Sequence, residues 1–134
     1  MLAFIIAAIV SIQADFVQTK QVGLMTEPQV STGKMIYRAP DYLQWAYESP
    51  DTKVWEIDGE RTNVNPQMQK LLRMIMVSIA SDGQMDAKME RESKKMFQSV
   101  RISMDEKTNV AKRVELTEKN GDMTIIEFKN VIAK

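Results

Sequence analysis

The sequence predicts an α+β fold, mostly β, built on an antiparallel sheet. Three observations carry that expectation. Apolar and polar residues alternate with a period of two over several stretches, the spacing that turns one face of a strand toward a core. Asp58-Gly59 and Asn120-Gly121 mark tight hairpins, because glycine tolerates positive φ. Between the two groups of strands the period lengthens to that of a helix. Strands that follow one another through short turns pair antiparallel.

The chain opens with MLAFIIAAIV, apolar throughout. That run is half the roughly 20 residues a transmembrane helix needs. It also lacks the basic start of a signal peptide, and a cut after Ala14 would leave Ile12 where a small residue is preferred. The reading is a short buried helix rather than a trimmed signal sequence. SIQADFVQTKQV then places Ile12, Ala14 and Phe16 on one strand face. STGKMIYRA does the same for Gly33, Met35 and Tyr37, and YLQWAYE for Leu43, Trp45 and Tyr47. Pro40 and Pro50 sit in turn signals on either side of this last strand. In TKVWEI, Trp55 and Ile57 alternate against Val54 and Glu56, and a short strand from Glu60 to Val64 returns from the Asp58-Gly59 turn.

NPQMQKLLRMIMVSIASDG changes the rhythm. Met68, Leu71, Leu72, Ile75, Met76, Ile79 and Ala80 fall on one helical face. Asn65 suits the N-cap, Pro66 the first helical position and Gly83 the C-terminal end. QMDAKMERESKKMF is charge-rich and reads as a solvated loop or helix face. The tail returns to β: QSVRISM, VAKRVELTE and MTIIEFKNV, the last two flanking Asn120-Gly121.

At 134 residues the chain suits one domain spanning 1–134. Folding at that length removes roughly 70% of the unfolded surface, so a real core is possible. Lys and Arg number 18 and Asp and Glu 18, and no basic cluster interleaves with the aromatics, which argues against nucleic acid. With no cysteine and no histidine, Cys/His zinc sites, thiol nucleophiles and Ser-His triads are excluded. Asp82, Asp86 and Glu90 match no calcium-loop spacing and read as solvated surface. No catalytic residue, metal or cofactor is expected.

The stretch GKMIYRAPDYLQWAYESP gathers Tyr37, Tyr42, Trp45 and Tyr47 beside Met35 and Leu43, with no catalytic group among them. On pattern alone such a stripe is first a packed core; the alternative is an apolar wall that holds a ligand. The order of Phe16 and Gln18, then Gly33, Met35, Tyr37, Pro40, Leu43, Trp45, Pro50, Asp58 and Gly59, with NGDMTIIEF near the end, resembles the outer-membrane lipoprotein carrier (LolA-like) family. The form is most similar to Bacteroides-type members.

The resemblance implies a half-open antiparallel β-barrel whose concave apolar face is covered by helices. It implies a periplasmic carrier, not an enzyme, that shelters the acyl chains of a lipoprotein or related lipid between membranes. It would work as a monomer between an inner-membrane donor complex and an outer-membrane acceptor. On that reading Phe16, Met35, Tyr37, Leu43, Trp45, Tyr47, Trp55 and Ile57 line the cavity, and Leu71, Leu72, Ile75, Met76 and Ile79 form a lid. The lid and the opening helix would pack into the empty cavity and swing aside on loading. Leu43→Glu would then abolish acyl-chain binding and spare the β-structure.

Two departures from the family pattern stand out. The best-known carriers have an arginine before the motif proline that helps latch the lid; here that residue is Ala39, and Arg38 is one step away on the opposite strand face. The family also has a further strand pair where only SDGQMDAKMERE stands between lid helix and tail. The second hypothesis is a non-transporting lipid- or peptide-binding sensor or interaction module on the same half-barrel, its interior packed shut. The third, an enzyme acting on lipids, lacks any visible nucleophile-base pair.

Overall fold

A computed structural model describes residues 11–23, 27–80, 87–107 and 110–134, without the side chains of 67, 77–80 and 87–89. Eight strands form one sheet: β1 (Ser11–Gln21), β2 (Gln29–Arg38), β3 (Tyr42–Ser49), β4 (Lys53–Asp58), β5 (Arg61–Thr62), β6 (Phe97–Met104), β7 (Ala111–Glu118) and β8 (Met123–Ala133). Helices α1 (Pro66–Ala80) and α2 (Ala87–Met96) lie between β5 and β6 in the chain. The order across the sheet is β5-β4-β3-β2-β1-β8-β7-β6, and every neighbouring pair is antiparallel. The fold is therefore α+β and mostly β, as expected. The expected opening helix at residues 1–10, the helix end at Gly83, and Asp82 and Asp86 lie outside the described residues.

Two runs of consecutive antiparallel strands, β1 to β5 and β6 to β8, meet at the β1–β8 seam. The two helices carry the chain from one edge of the sheet to the other. Local chemistry explains the joints. At the β4–β5 hairpin Asp58 pairs with Arg61, so the loop is Gly59-Glu60, with Gly59 at φ 61°. Glycine at the first loop position with positive φ is the II′ pattern, which matches strand twist. The Asn120-Gly121 signal folds differently. The Glu118 carbonyl accepts from Gly121 N–H at 2.9 Å, and Glu118 N–H donates to the Asp122 carbonyl at 2.8 Å. Gly121 alone takes positive φ, 94°. This is the three-residue loop with a glycine bulge rather than a two-residue turn.

The N-terminus of α1 is capped as the sequence predicts. The Asn65 side-chain oxygen accepts from Met68 N–H at 2.9 Å, and its carbonyl accepts from Gln69 N–H at 2.9 Å. Asn65→Ala should cost about 1 kcal/mol, read as a lowered midpoint in denaturant unfolding with an unchanged slope. The charge-rich segment is helical from Ala87 to Met96, the second of the two forms its charges allow. Its polar side chains form ion pairs such as Lys94–Glu90 at 3.7 Å and Lys70–Glu92 at 3.9 Å, all well exposed and worth little. Ser93 is buried and donates to the Glu90 carbonyl at 2.7 Å.

The inward face of the sheet is organised in rows. Ile12, Tyr37, Leu43 and Ile57 stand side by side across β1 to β4. All four are at most 1% exposed. One row along, Ala14, Met35, Trp45 and Trp55 align. Next comes Phe16, opposite Gly33, with Tyr47 beyond it. Phe16 stacks on Trp45 with ring centroids 4.2 Å apart and meets Tyr47 edge-on at 5.3 Å. The glycine is required here: a Cβ on Gly33 would fall 2.6 Å from the Phe16 ring and collide with the Ala46 carbonyl oxygen. On β8 the alternation holds through Ile126 and Phe128 and is then broken by a bulge at Asn130, whose φ is 53°. The Asn130 amide donates to Asp15 at 2.8 Å. The bulge turns Val131 onto the core.

Candidate functional site

A cavity of about 510 Å³ lies between the inward face of the sheet and α1, open to the outside. The sheet supplies Trp45 and Tyr47 from β3, Trp55 from β4, Leu116 from β7 and Ile126 from β8. The roof is Met68, Leu71, Leu72 and Ile75 of α1, with Met96 and Phe97 at the α2–β6 junction. The two methionines of the roof, Met68 and Met96, let it adapt to apolar ligands of varied shape.

The structure divides the candidate residues by row. Trp45, Tyr47, Trp55, Leu71, Leu72 and Ile75 line the cavity. Tyr37, Leu43 and Ile57 do not; they form the innermost row and are packed solid. Phe16 and Met35 are also core, at 1% exposure each, because Phe16 lies flat over Gly33 and against Trp45. Met76 is buried in the same core one turn beyond the cavity. Met74 is buried as well, so α1 is covered on more than its apolar stripe. The side chain of Ile79 lies outside the described residues. Leu43→Glu is thus a core lesion, and the expectation that it would spare the sheet is corrected.

Strand parity identified the right face but not the depth. Whether an inward side chain is core or wall depends on how far along the strand α1 still covers it. Leu116, Ile126, Met96 and Phe97 were missed for a related reason. The strands of Leu116 and Ile126 showed the same alternation without aromatic clustering to single them out, and Met96 and Phe97 end a segment whose charges read as solvated surface.

Gln18 gains a role. Its side-chain oxygen accepts from the Tyr47 hydroxyl at 2.8 Å, across the inner face and at the cavity wall. Burial pushes the Tyr47 phenol above its ordinary value, offset in part by the Trp45 indole and Gln18 beside it. The hydroxyl therefore stays protonated and donating at any physiological pH. The Trp45 indole N–H is buried beside that phenol without a well-directed hydrogen bond. Leaving it so costs about 1–3 kcal/mol, which the aromatic packing of Trp45 against Phe16 and Phe128 must offset.

The roof is tied to the sheet by a polar contact. The Arg73 guanidinium on α1 donates to the Gly59 carbonyl in the β4–β5 hairpin at 2.7 Å. With its amide oxygen turned toward Arg73, Gln69 accepts two further bonds at 3.0 and 3.1 Å. The tether thus comes from the helix. Among the described residues no group of acidic side chains could hold a metal ion, and no helix is long and apolar enough to cross a membrane.

No curated protein matches the chain. Among solved structures, a DUF1329 family protein from Desulfovibrio piger is similar at 11% identity and a TM-score of 0.37, covering 96% of this chain and 87% of its own. That likeness is too loose to bear on function. The family model for the outer membrane lipoprotein carrier protein LolA matches residues 7–79, which include β1 to β5 and nearly all of α1. That is more than half of the sequence and includes the aromatic wall and the roof helix, so the chain belongs to the LolA family.

Proposed function

We propose that the protein is a periplasmic carrier that shelters acyl chains of a lipoprotein or related lipid between membranes. The observation that carries this is the cavity of about 510 Å³, walled by Trp45, Trp55, Leu116 and Ile126 and roofed by α1, with a polar mouth of Lys20, Glu118, Lys119, Asn120 and Thr124, in a member of the LolA family. The sheet acts as a half-open barrel in a single domain of residues 1–134, closest to Bacteroides-type members. It works as a monomer, without chemistry of its own, receiving cargo from an inner-membrane donor and passing it to an outer-membrane acceptor.

The energetics suit a carrier. Each buried methylene contributes about 0.8 kcal/mol. A sixteen-carbon tail then gains on the order of 10 kcal/mol gross, before the costs of ordering chain and lid. Delivery therefore requires α1 to move, and the Arg73–Gly59 hydrogen bond is the contact that such movement breaks.

Lipid extracted from the purified protein and identified by mass spectrometry tests the reading directly. Leu71→Glu tests it by mutation. Leu71 is half-buried in the roof, so a carboxylate there can reach water in the empty protein but must be buried beneath a loaded tail. The folded variant should bind a fluorescent fatty-acyl probe at least tenfold more weakly. Undiminished binding, or an absence of lipid from protein purified without detergent together with no uptake of the probe, would sink the carrier reading.

A further inference from the structure

The wall of the cavity carries a polar cluster that hydrocarbon binding alone does not need. Gln18 of β1 and Trp45 and Tyr47 of β3 all line the cavity. The Tyr47 hydroxyl donates to the Gln18 side-chain oxygen at 2.8 Å, and the Trp45 indole N–H lies beside the same phenol. Two donors are left over. The Gln18 amide NH2 has no acceptor among the described residues, because the hydrogen bond of that side chain runs through its oxygen. The Trp45 N–H has none either, although Trp45 is only 1% exposed. Buried donors are nearly always paired, so an orphan on a cavity wall asks for an acceptor. A wall made only for hydrocarbon would carry apolar groups here and avoid the loss.

Position along the cavity says what these donors meet. Along the inward face of the β1–β8 pair, Phe16 and Phe128 come first, then Gln18 and Ile126, then Lys20 and Thr124. Gln18 therefore stands where the apolar part gives way to the polar mouth. The mouth has no net sign, since Lys20 and Lys119 face Glu118 with Asp122 beside them. Headgroup charge is thus a weak basis for selection. An amphiphile whose tail fills the apolar part presents, at the depth of Gln18, the linkage between tail and headgroup. In an acylated molecule that linkage holds a carbonyl oxygen, an acceptor.

We infer that Gln18 and Trp45 bind the carbonyl oxygen of an acyl linkage, so that the cavity recognises acylated molecules by their linkage as well as by their hydrocarbon. This rests on the carrier reading and names the chemistry by which its cargo is told from other apolar molecules. Gln18 keeps its oxygen on the Tyr47 hydroxyl and offers its NH2 to the ligand. The indole N–H is sealed in the empty protein, and the movement of α1 on loading gives the carbonyl access to it. An ester of a glyceride and the amide of an N-acyl group share this acceptor.

The test compares monopalmitoylglycerol, N-palmitoylserinol and the ether hexadecylglycerol as competitors of a fluorescent acyl probe on the whole protein. All three are uncharged, and the ether lacks the carbonyl. The ester, the amide or both should bind about threefold to tenfold more tightly than the ether, and the tighter of the two names the linkage. Gln18→Leu/Tyr47→Phe replaces both partners of one hydrogen bond by apolar groups of similar shape, which the fold tolerates. In that variant the preference over the ether should fall by at least half. Trp45 is read without mutation, by nuclear magnetic resonance. Of the two indole N–H signals, Trp55→Phe identifies that of Trp45, and it should move downfield on loading with the preferred acyl ligand and not with the ether. Equal affinities for all three ligands, an unchanged preference in the double variant or an indole signal that answers ether and acyl ligand alike would overturn this inference and spare the carrier reading. Failure of all three to bind would overturn the carrier reading itself.

Discussion

Leu43→Glu is expected to abolish the cooperative fold. Leu43 is 1% exposed and flanked in its row by Tyr37 and Ile57. The substitution removes a full apolar side chain and puts a carboxylate where no cation can reach it. Losses of this kind are about 5 kcal/mol or more, against a total stability of roughly 5–15 kcal/mol for a domain. Burial raises the folded-state pKa of the new acid above its unfolded value of about 4.3. The penalty is therefore full above the folded pKa and shrinks as pH falls toward the unfolded one. Thermal melts followed by circular dichroism should show no transition, or a greatly lowered one, at pH 7, with partial recovery near pH 5. A variant that melts like the wild type at pH 7 would mean that the innermost row is not solid.

Gly33→Ala should lower stability by about 3 kcal/mol, the upper end for overpacking. The added methyl meets two obstacles at once. The Phe16 ring lies 2.6 and 2.8 Å from the Cβ position, and the Ala46 carbonyl is in the way as well. A ring alone could tilt, but the carbonyl belongs to the β2–β3 ladder and moves only with its strand. At this chain length the melting temperature should fall by roughly 10 °C. Because Phe16 also holds Trp45 and Tyr47 in place, the cavity wall should loosen before the fold fails. Reduced near-ultraviolet circular dichroism well below the melting point would report that loosening. An unshifted melt would show that β3 gives way at little cost.

Much of this architecture was legible in the residues. The alternation in DFVQTK, GKMIYRA and YLQWAYE assigned the inward face correctly, because a period of two admits only two choices. Asn65-Pro66 marked the start of α1 for a chemical reason, a side-chain oxygen on the N3 amide, and that bond is present. What pattern could not supply was position along the strand. Leu43 and Trp45 look alike in an alternating sequence, yet one is packed solid and the other borders open space. The segment holding α2 was ambiguous because its exposed lysines and glutamates suit a loop as well as a helix. Only its buried Ser93 and its end at Met96 show how it seats. The bulge at Asn130 left no signal beyond an asparagine able to adopt positive φ. The polar mouth escaped notice because Lys20, Thr124 and Lys119 are far apart in sequence and meet only through the β1–β8 pairing.

That pairing also governs how the molecule is assembled in time. Ile12 lies opposite Ala133, and Ser11 and Lys134 exchange backbone hydrogen bonds at 3.0 and 2.9 Å. The central seam is thus made by the segments most distant from one another in the described chain. Closing so long a loop costs entropy before any reward from burial arrives. Until the last strand docks, β1 and β7 each offer a bare edge to other chains. A nascent polypeptide must therefore be protected from self-association until β8 emerges, and the cavity beneath α1 exists only after that late zipper has shut.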